Sequence, residues 1–180
     1  MLHKASALWA RIELFVAAFL AASITLLILL NVVTRAFGQA IYWVDEAAIY
    51  AMAWMTFLAG SAAVHYGNSV AVTLLETSLG PSMARVLRVF KDLCVLVFAL
   101  LMVWFVWRWY LPLELVQADF DVRAFQGSTF NFIYSEPTTT LPFRKWIVWL
   151  VMWSFAFGLL LHSLSILFGG GEHAERAEAT

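Results

Sequence analysis

The stretch LFVAAFLAASITLLILLNVV, residues 14–33, decides the class of this protein because it contains no charged side chain. The hydrocarbon core of a bilayer is about 30 Å thick, and a helix that rises about 1.5 Å per residue needs about 20 apolar residues to cross it. The stretch therefore predicts a helix that spans a membrane. It is too long for the apolar core of a cleaved signal peptide, which has about 7–15 residues.

Three further apolar runs of comparable length follow, over residues 47–64, 93–111 and 146–168. The chain is 63% hydrophobic and only 13% charged, whereas soluble domains carry roughly 25% charged residues. These patterns predict an all-α integral membrane protein with four transmembrane helices in a single domain, residues 1–168. The predicted helices cover residues of about 12–35, 44–66, 83–111 and 143–168.

Three connecting or terminal segments complete the predicted organisation. A short surface segment, residues 70–79, precedes Gly80-Pro81, which favours the start of a new helix. A long loop, residues 112–142, joins the third and fourth helices and carries five aromatic residues between Phe120 and Tyr134 that need cover from water. Residues 169–180 are polar and glycine-rich, which predicts a flexible C-terminal tail.

Four spans place both termini on one side of the membrane, but the Lys and Arg residues divide almost evenly between the two sides. Arg85, Arg88 and Lys91 cluster where the third helix begins, on the side of the termini, while the long loop is acidic. This arrangement favours cytoplasmic termini. The three cations are predicted to reach lipid headgroups.

The second helix has an aromatic and polar face. At about 100° per residue, six side chains fall within an arc of roughly 100°. These residues are Glu46, Tyr50, Trp54, Phe57, Ser61 and His65. The opposite face carries mostly alanine, which lets another helix approach closely. The aromatic face is predicted either to bind a partner protein or to pack inside the four-helix unit, and the pattern leaves both interpretations open.

Arg35, Asp45 and Glu46 stand at the two ends of the short connection between the first and second helices. The spacing predicts an interfacial ion pair between Arg35 and one carboxylate, with the carboxylates also stabilising the start of the helix. A role in ion or proton passage is the alternative. Such a role is usual for charges at the bilayer midplane, and nothing in the sequence places these residues there.

His65 and His162 lie on helices that run in the same direction, so they are candidate ligands of a haem. Counted from Trp43 and Trp146, however, the two histidines differ in depth by about 9 Å unless one of the two helices starts lower in the membrane. The single cysteine, Cys94, cannot form a metal site with other thiols. No catalytic or nucleotide-binding motif is present, so neither an enzyme nor a cofactor or metal is expected, and the net charge of -1 argues against a nucleic-acid partner.

The stretch from Asn31 to Leu75 resembles the small membrane subunit (DctQ-like) of tripartite ATP-independent periplasmic (TRAP) transporters. The resemblance rests on Asn31-Val32-Val33 with Arg35, Trp43 before Asp45-Glu46, Tyr50, Trp54, Phe57-Leu58-Ala59-Gly60, Ala63, Gly67 and Leu74-Leu75. It implies a scaffold in the bacterial inner membrane, with cytoplasmic termini, for a large permease subunit. It also implies sodium-coupled uptake of an organic anion delivered by a periplasmic binding protein.

Two features differ from the family pattern. Residues 68–73 lack the charged residues that are frequent in this turn, and the loop 112–142 is longer than expected. The aromatic residues of the loop are predicted either to fold against the membrane surface or to meet the binding protein. A haem-carrying anchor of an electron-transfer complex, through His65 and His162, and a membrane-assembly factor are the competing functions.

Overall fold

The computed structural model describes residues 1–67 and 80–168, and within these ranges the regular structure is helical apart from one isolated bridge between Pro137 and Arg144. Among the residues that the structure describes, four helical stretches are long and apolar enough to cross a membrane, which confirms the predicted class. The helices are α1 Leu2–Ala36, α2 Tyr42–Tyr66, α3 Pro81–Tyr110, α4 Pro112–Gln117, α5 Val122–Thr129, α6 Lys145–Val148 and α7 Val151–Phe168.

The first helix is longer than its apolar run. The helix was predicted to start at about residue 12, but it starts at Leu2. It therefore has 35 residues and is about 52 Å long at about 1.5 Å per residue. Its buried side chains, Ser6, Ala10, Glu13 and Ala17, recur at helical spacing in its first half. This stripe continues the helix toward the N-terminus because it packs on other helices of the bundle.

Local sequence sets the ends of α2 and α3. Gly67 ends α2 in the left-handed conformation (φ 64°), and its N–H donates to Ala63 O and Val64 O. Glycine adopts this conformation without the steric cost that a Cβ atom brings. Pro81 begins α3, where its missing N–H and fixed φ suit the first turn.

The last span is the central helix of the bundle. α7 contacts α1, α2 and α3, and α1 also packs along α2. Its buried residues include Gly158, His162 and Ser163, so small and polar residues line the contacts between the helices. The predicted single helix 143–168 is interrupted after Val148, which gives the short α6 and then α7.

The loop 112–142 forms a compact cap over one end of α3 and α6. It contains α4 and α5, and Phe125, Ile133 and Tyr134 are buried against Tyr110 of α3. The Tyr134 hydroxyl donates to Tyr110 O at 2.7 Å, and burial raises the pKa of this hydroxyl. Two of the five loop aromatics, Phe125 and Tyr134, are thus covered by the protein itself. Phe120, Phe130 and Phe132 are exposed.

Two predicted segments lie outside the described residues. They are the surface segment 70–79 and the C-terminal tail 169–180.

Candidate functional site

The N-terminal end of α2 carries a carboxylate, Glu46, that is bound by the loop before α6. Glu46 accepts hydrogen bonds from the backbone N–H groups of Thr139 at 2.8 Å, Thr140 at 2.6 Å and Leu141 at 3.2 Å. The hydroxyls of Thr140 and Tyr50 each donate to it at 2.7 Å. Glu46 therefore holds the loop to α2, and α2 begins after Ile41 without a side-chain cap.

A second polar group joins the end of α1 to α2. Arg35 lies 2.7 Å from Asp45 and donates to Asn31 at 3.0 Å, and Asn31 also donates to Asp45. The Arg35 and Asp45 side chains are 59% and 52% exposed. An exposed pair of this kind contributes about 0–1 kcal/mol, so these residues fix the direction of the α1–α2 turn more than they stabilise the fold.

The aromatic face of α2 makes its contacts within the chain. Trp54 Nε1 donates to Val148 O at 2.6 Å, and the Phe57 ring meets the Phe155 ring edge-on at 5.1 Å. Ser61 is fully buried beside α7. These are the contacts expected when the face packs inside the four-helix unit, while contact with a partner stays a prediction.

The basic cluster at the start of α3 is largely solvent-accessible. Arg85 and Arg88 are exposed, while Lys91 is half-buried and lies 3.7 Å from Asp92. Their binding to lipid headgroups stays a prediction.

A buried polar cluster lies at the opposite end of the bundle, where α1 begins and α2 and α7 end. His162 Nε2 lies 3.0 Å from Glu13 Oε2, and its Nδ1 lies 2.8 Å from Ser6 Oγ. Ser6 Oγ is also 2.7 Å from His65 Nδ1. Glu13 is 1% exposed, and Ser6 and His162 are fully buried. We call Ser6, Glu13, His65 and His162 the Glu–His cluster.

The predicted difference in depth between the histidines is wrong, since the His65 and His162 ring centroids are 5.3 Å apart. Trp146 does not mark the point at which the chain of the fourth span first runs beside α2, because residues before it already contact α2. Glu46 binds Thr140, and Trp54 binds Val148, so the chain before α7 already runs beside α2. This register brings His162 to the level of His65.

The arrangement does not fit a haem held between the two histidines. Such a haem needs a ring nitrogen from each side directed at an iron between them. Here both Nδ1 atoms lie within 2.8 Å of one serine oxygen, and the second nitrogen of His162 lies 3.0 Å from a carboxylate. The Ser6 hydroxyl thus bridges the two Nδ1 atoms.

Sequence reasoning missed Glu13 because this residue immediately precedes the uncharged run. A signal was present in the sequence, since Ser6, Ala10, Glu13 and Ala17 share one helical face with small neighbours. A single carboxylate on such a face indicates a buried charge at a helix contact.

The model of one protein family matches residues 24–170, and its description is the DctQ component of tripartite ATP-independent periplasmic transporters. No curated protein and no solved structure matches the chain. The matched range begins within α1 and includes all of the helices that follow it. It begins after Glu13 and includes His65 and His162.

Proposed function

Because the chain belongs to the DctQ family of tripartite ATP-independent periplasmic transporters, we propose that it is the small permease subunit that holds a large permease subunit in the bacterial inner membrane. The observation that carries this proposal is the family match over residues 24–170. The complex takes up an organic anion with sodium, after a periplasmic binding protein delivers the anion. The chain itself is a transporter component rather than an enzyme.

The contacts at both ends of the bundle support a scaffold role. At one end Glu46 binds the loop before α6, and at the other end Glu13 and Ser6 of α1 meet His162 of α7. Helices joined at both ends resist sliding past one another. A frame of this kind can hold the fixed part of a permease while the substrate-carrying part moves.

The outward side of α2 is the docking surface for the large subunit. Its exposed residues follow helical spacing, and we call them the outward stripe: Ile49, Met52, Thr56, Gly60 and Ala63. Ile49 is 60% exposed and Met52 is 47% exposed. Toward the end of the helix the stripe narrows to threonine, glycine and alanine, which allow a second membrane helix to approach closely.

The aromatic face from Glu46 to Ser61 supports this docking indirectly in our proposal. Its contacts with α6, α7 and the preceding loop fix the direction in which the outward stripe points. Direct contact between the aromatic face and the large subunit is the alternative prediction for the same residues.

Co-purification tests the proposal. The chain is co-expressed with the large subunit of its own transporter, and an affinity tag on this chain is expected to recover both proteins. Thr56→Trp, on the outward stripe, is expected to reduce the large subunit recovered. Val97→Trp on α3, at a side chain that is 49% exposed, is the matched control and leaves recovery unchanged.

A transport assay shows whether the loss of assembly also lowers uptake. Uptake in cells or proteoliposomes is expected to require this chain and to fall with Thr56→Trp in proportion to the lost assembly. A chain that purifies alone, beside a large subunit that transports fully without it, contradicts the proposed function.

A further inference from the structure

A groove lies between the cap and the start of the fourth span, at the end of the bundle away from the N-terminus. Its volume is about 730 Å³, within the range of about 300–1,000 Å³ that small-molecule sites have. The scaffold role assigns no occupant to this groove. Side chains of the cap line one side of it and side chains around α6 line the other, among them Leu115, Phe120, Val122, Phe143, Ile147 and Leu150.

The apolar side of the groove opens to the surroundings of the helices. Phe120, Ile147 and Leu150 are exposed. Ile147 and Leu150 belong to the fourth candidate span, Lys145–Phe168, so a bilayer places hydrocarbon beside them. Phe157 of α7 is also exposed and lies within an arc of about 80° of these two residues. An apolar track therefore continues from the groove along the span.

A cation stands at the other end of the groove. Arg144 lines the groove and immediately precedes the fourth span. Its side chain is exposed, and its Nη1 donates to Tyr134 O at 2.7 Å. A guanidinium has five N–H donors, so this bond leaves donors for a ligand. Arg144 and Leu150 are six residues apart, about 9 Å at helical rise, so the cation lies at the level where phosphate groups border the hydrocarbon.

Nearby carboxylates do not neutralise Arg144. Asp121 accepts from backbone N–H groups at the start of α5, and Glu136 lies 2.6 Å from Lys145. Among residues 1–67 and 80–168, no carboxylate forms an ion pair with Arg144. Its charge is therefore available to an anion.

The tyrosine hydroxyls in the groove are already paired with the backbone. Tyr110 donates to Trp146 O at 2.8 Å, and Tyr134 donates to Tyr110 O at 2.7 Å. A polar metabolite needs several polar groups that fix its orientation, and these two hydroxyl protons are not available to it. The groove instead complements a ligand with an anionic head and a long apolar part.

We propose that the groove binds one phospholipid from the leaflet on the side of the cap. The lipid phosphate accepts charge-assisted hydrogen bonds from the Arg144 guanidinium. An acyl chain lies along Ile147, Leu150 and Phe157 and covers the exposed ring of Phe120. The site goes beyond the scaffold role, because it is formed by this chain without the large subunit. It is also separate from the basic cluster at the start of α3, which lies at the opposite end of the bundle.

Native mass spectrometry of the complete chain tests the charged part of the site. The chain is purified and delipidated in a maltoside detergent, which carries no phosphate, and is then titrated with phosphatidylglycerol. One tightly bound lipid per chain is expected. Arg144→Gln is expected to weaken binding of this lipid about tenfold, because the charged donor is lost. Arg123→Gln is the matched control and keeps the affinity, since Arg123 is exposed on α5 and does not line the groove.

The apolar part of the site is tested by Leu150→Trp, which fills the groove and is expected to lower lipid binding. Val97→Trp, on the exposed surface of α3, is expected to leave lipid binding unchanged. The unsubstituted chain supplies a measurement that stays decisive if Arg144→Gln does not fold. A phosphatidylglycerol with a photoreactive acyl chain is expected to label the segment from Ile147 to Phe157 in preference to the segment around Val97.

Three results overturn the proposal. Equal lipid binding by the unsubstituted chain, Arg144→Gln and Leu150→Trp would show that the lipid binds elsewhere. Displacement of the lipid by inorganic phosphate would make the groove a site for a free anion. Release of the lipid when the large subunit binds would assign the groove to a protein contact. The co-purification and transport experiments do not depend on the lipid, so failure of the lipid site is distinguishable from failure of the proposed function.

Discussion

At Gly158, side chains of α1 and α2 lie directly against the backbone of α7. A Cβ atom there would overlap Glu13 Oε1 and Ser61 Oγ and would lie 3.0 Å from Trp9 Nε1. Because Glu13 is held by His162, its carboxylate cannot withdraw without loss of that contact. Glycine is required at this position for space rather than for backbone conformation.

Gly158→Ala is therefore expected to destabilise the protein by about 1–3 kcal/mol, the usual cost of overpacking. The control is Gly60→Ala on α2, where the nearest atom to a new Cβ, on Phe155, lies at an ordinary 3.9 Å. This change should alter stability by no more than about 1 kcal/mol. Unfolding in sodium dodecyl sulfate, followed by circular dichroism, measures both variants. Equal effects would show that Gly158 is not constrained by its neighbours.

Glu46 is the second residue whose substitution is expected to change the protein strongly, here through the loop that it holds. Both of its carboxylate oxygens accept hydrogen bonds from residues 139–141, whereas the amide nitrogen of glutamine cannot accept. Glu46→Gln is therefore expected to speed hydrogen exchange at the amides of Thr139, Thr140 and Leu141. The control is Glu136→Gln, because Glu136 forms an exposed ion pair with Lys145. Unchanged exchange in Glu46→Gln would contradict the assigned role.

At the scale of elements, α2 packs between α1 and the α6–α7 segment. Trp54 makes the contact with α6, through its hydrogen bond to Val148. Trp54→Phe removes the hydrogen bond to Val148 but keeps an aromatic ring, and the lost hydrogen bond should cost about 0.5–1.5 kcal/mol. Trp54→Ala also removes packing and should cost up to about 3 kcal/mol. Met52→Ala, on the outward stripe, should leave the stability of the isolated chain nearly unchanged. The measurement is the same detergent unfolding.

Two of these variants, Met52→Ala and Trp54→Phe, separate the two interpretations of the aromatic face. If the outward stripe is the docking surface, Met52→Ala lowers recovery of the large subunit more than Trp54→Phe does. The reverse order would assign the partner contact to the aromatic face.

At the scale of the whole molecule, the Glu–His cluster and the cap formed by residues 112–142 lie at opposite ends of the bundle. If the termini are cytoplasmic, α5 faces the periplasm. In a Cys94→Ser background, a cysteine replacing Ser128 of α5 should react in intact cells with a membrane-impermeant thiol reagent that reaches the periplasm. A cysteine replacing Ser82 of α3 should react only after lysis. Both serines are exposed, so the reverse pattern would invert the proposed orientation.

Much of the fold was predictable because each of the four spans depends on the length and apolarity of one continuous stretch of sequence. The resemblance over residues 31–75 likewise predicted the family that the match over residues 24–170 confirms. The start of α1 at Leu2 was missed because twelve of its residues, 2–13, precede the apolar run, and their helical structure depends on packing against other helices. The break after Val148 was missed for a related reason, since it depends on where the loop before α6 meets α2.

The sequence by itself determined four stretches that are long and apolar enough to cross a membrane as helices, since the length and polarity of each run are sufficient for that conclusion. Only the tertiary structure decided that Glu13, Ser6, His65 and His162 form one cluster. The physical reason is that depth along a helix does not fix the register between helices. The register follows from Glu46, Trp54 and Gly158, whose contacts join parts of the chain that are far apart in sequence.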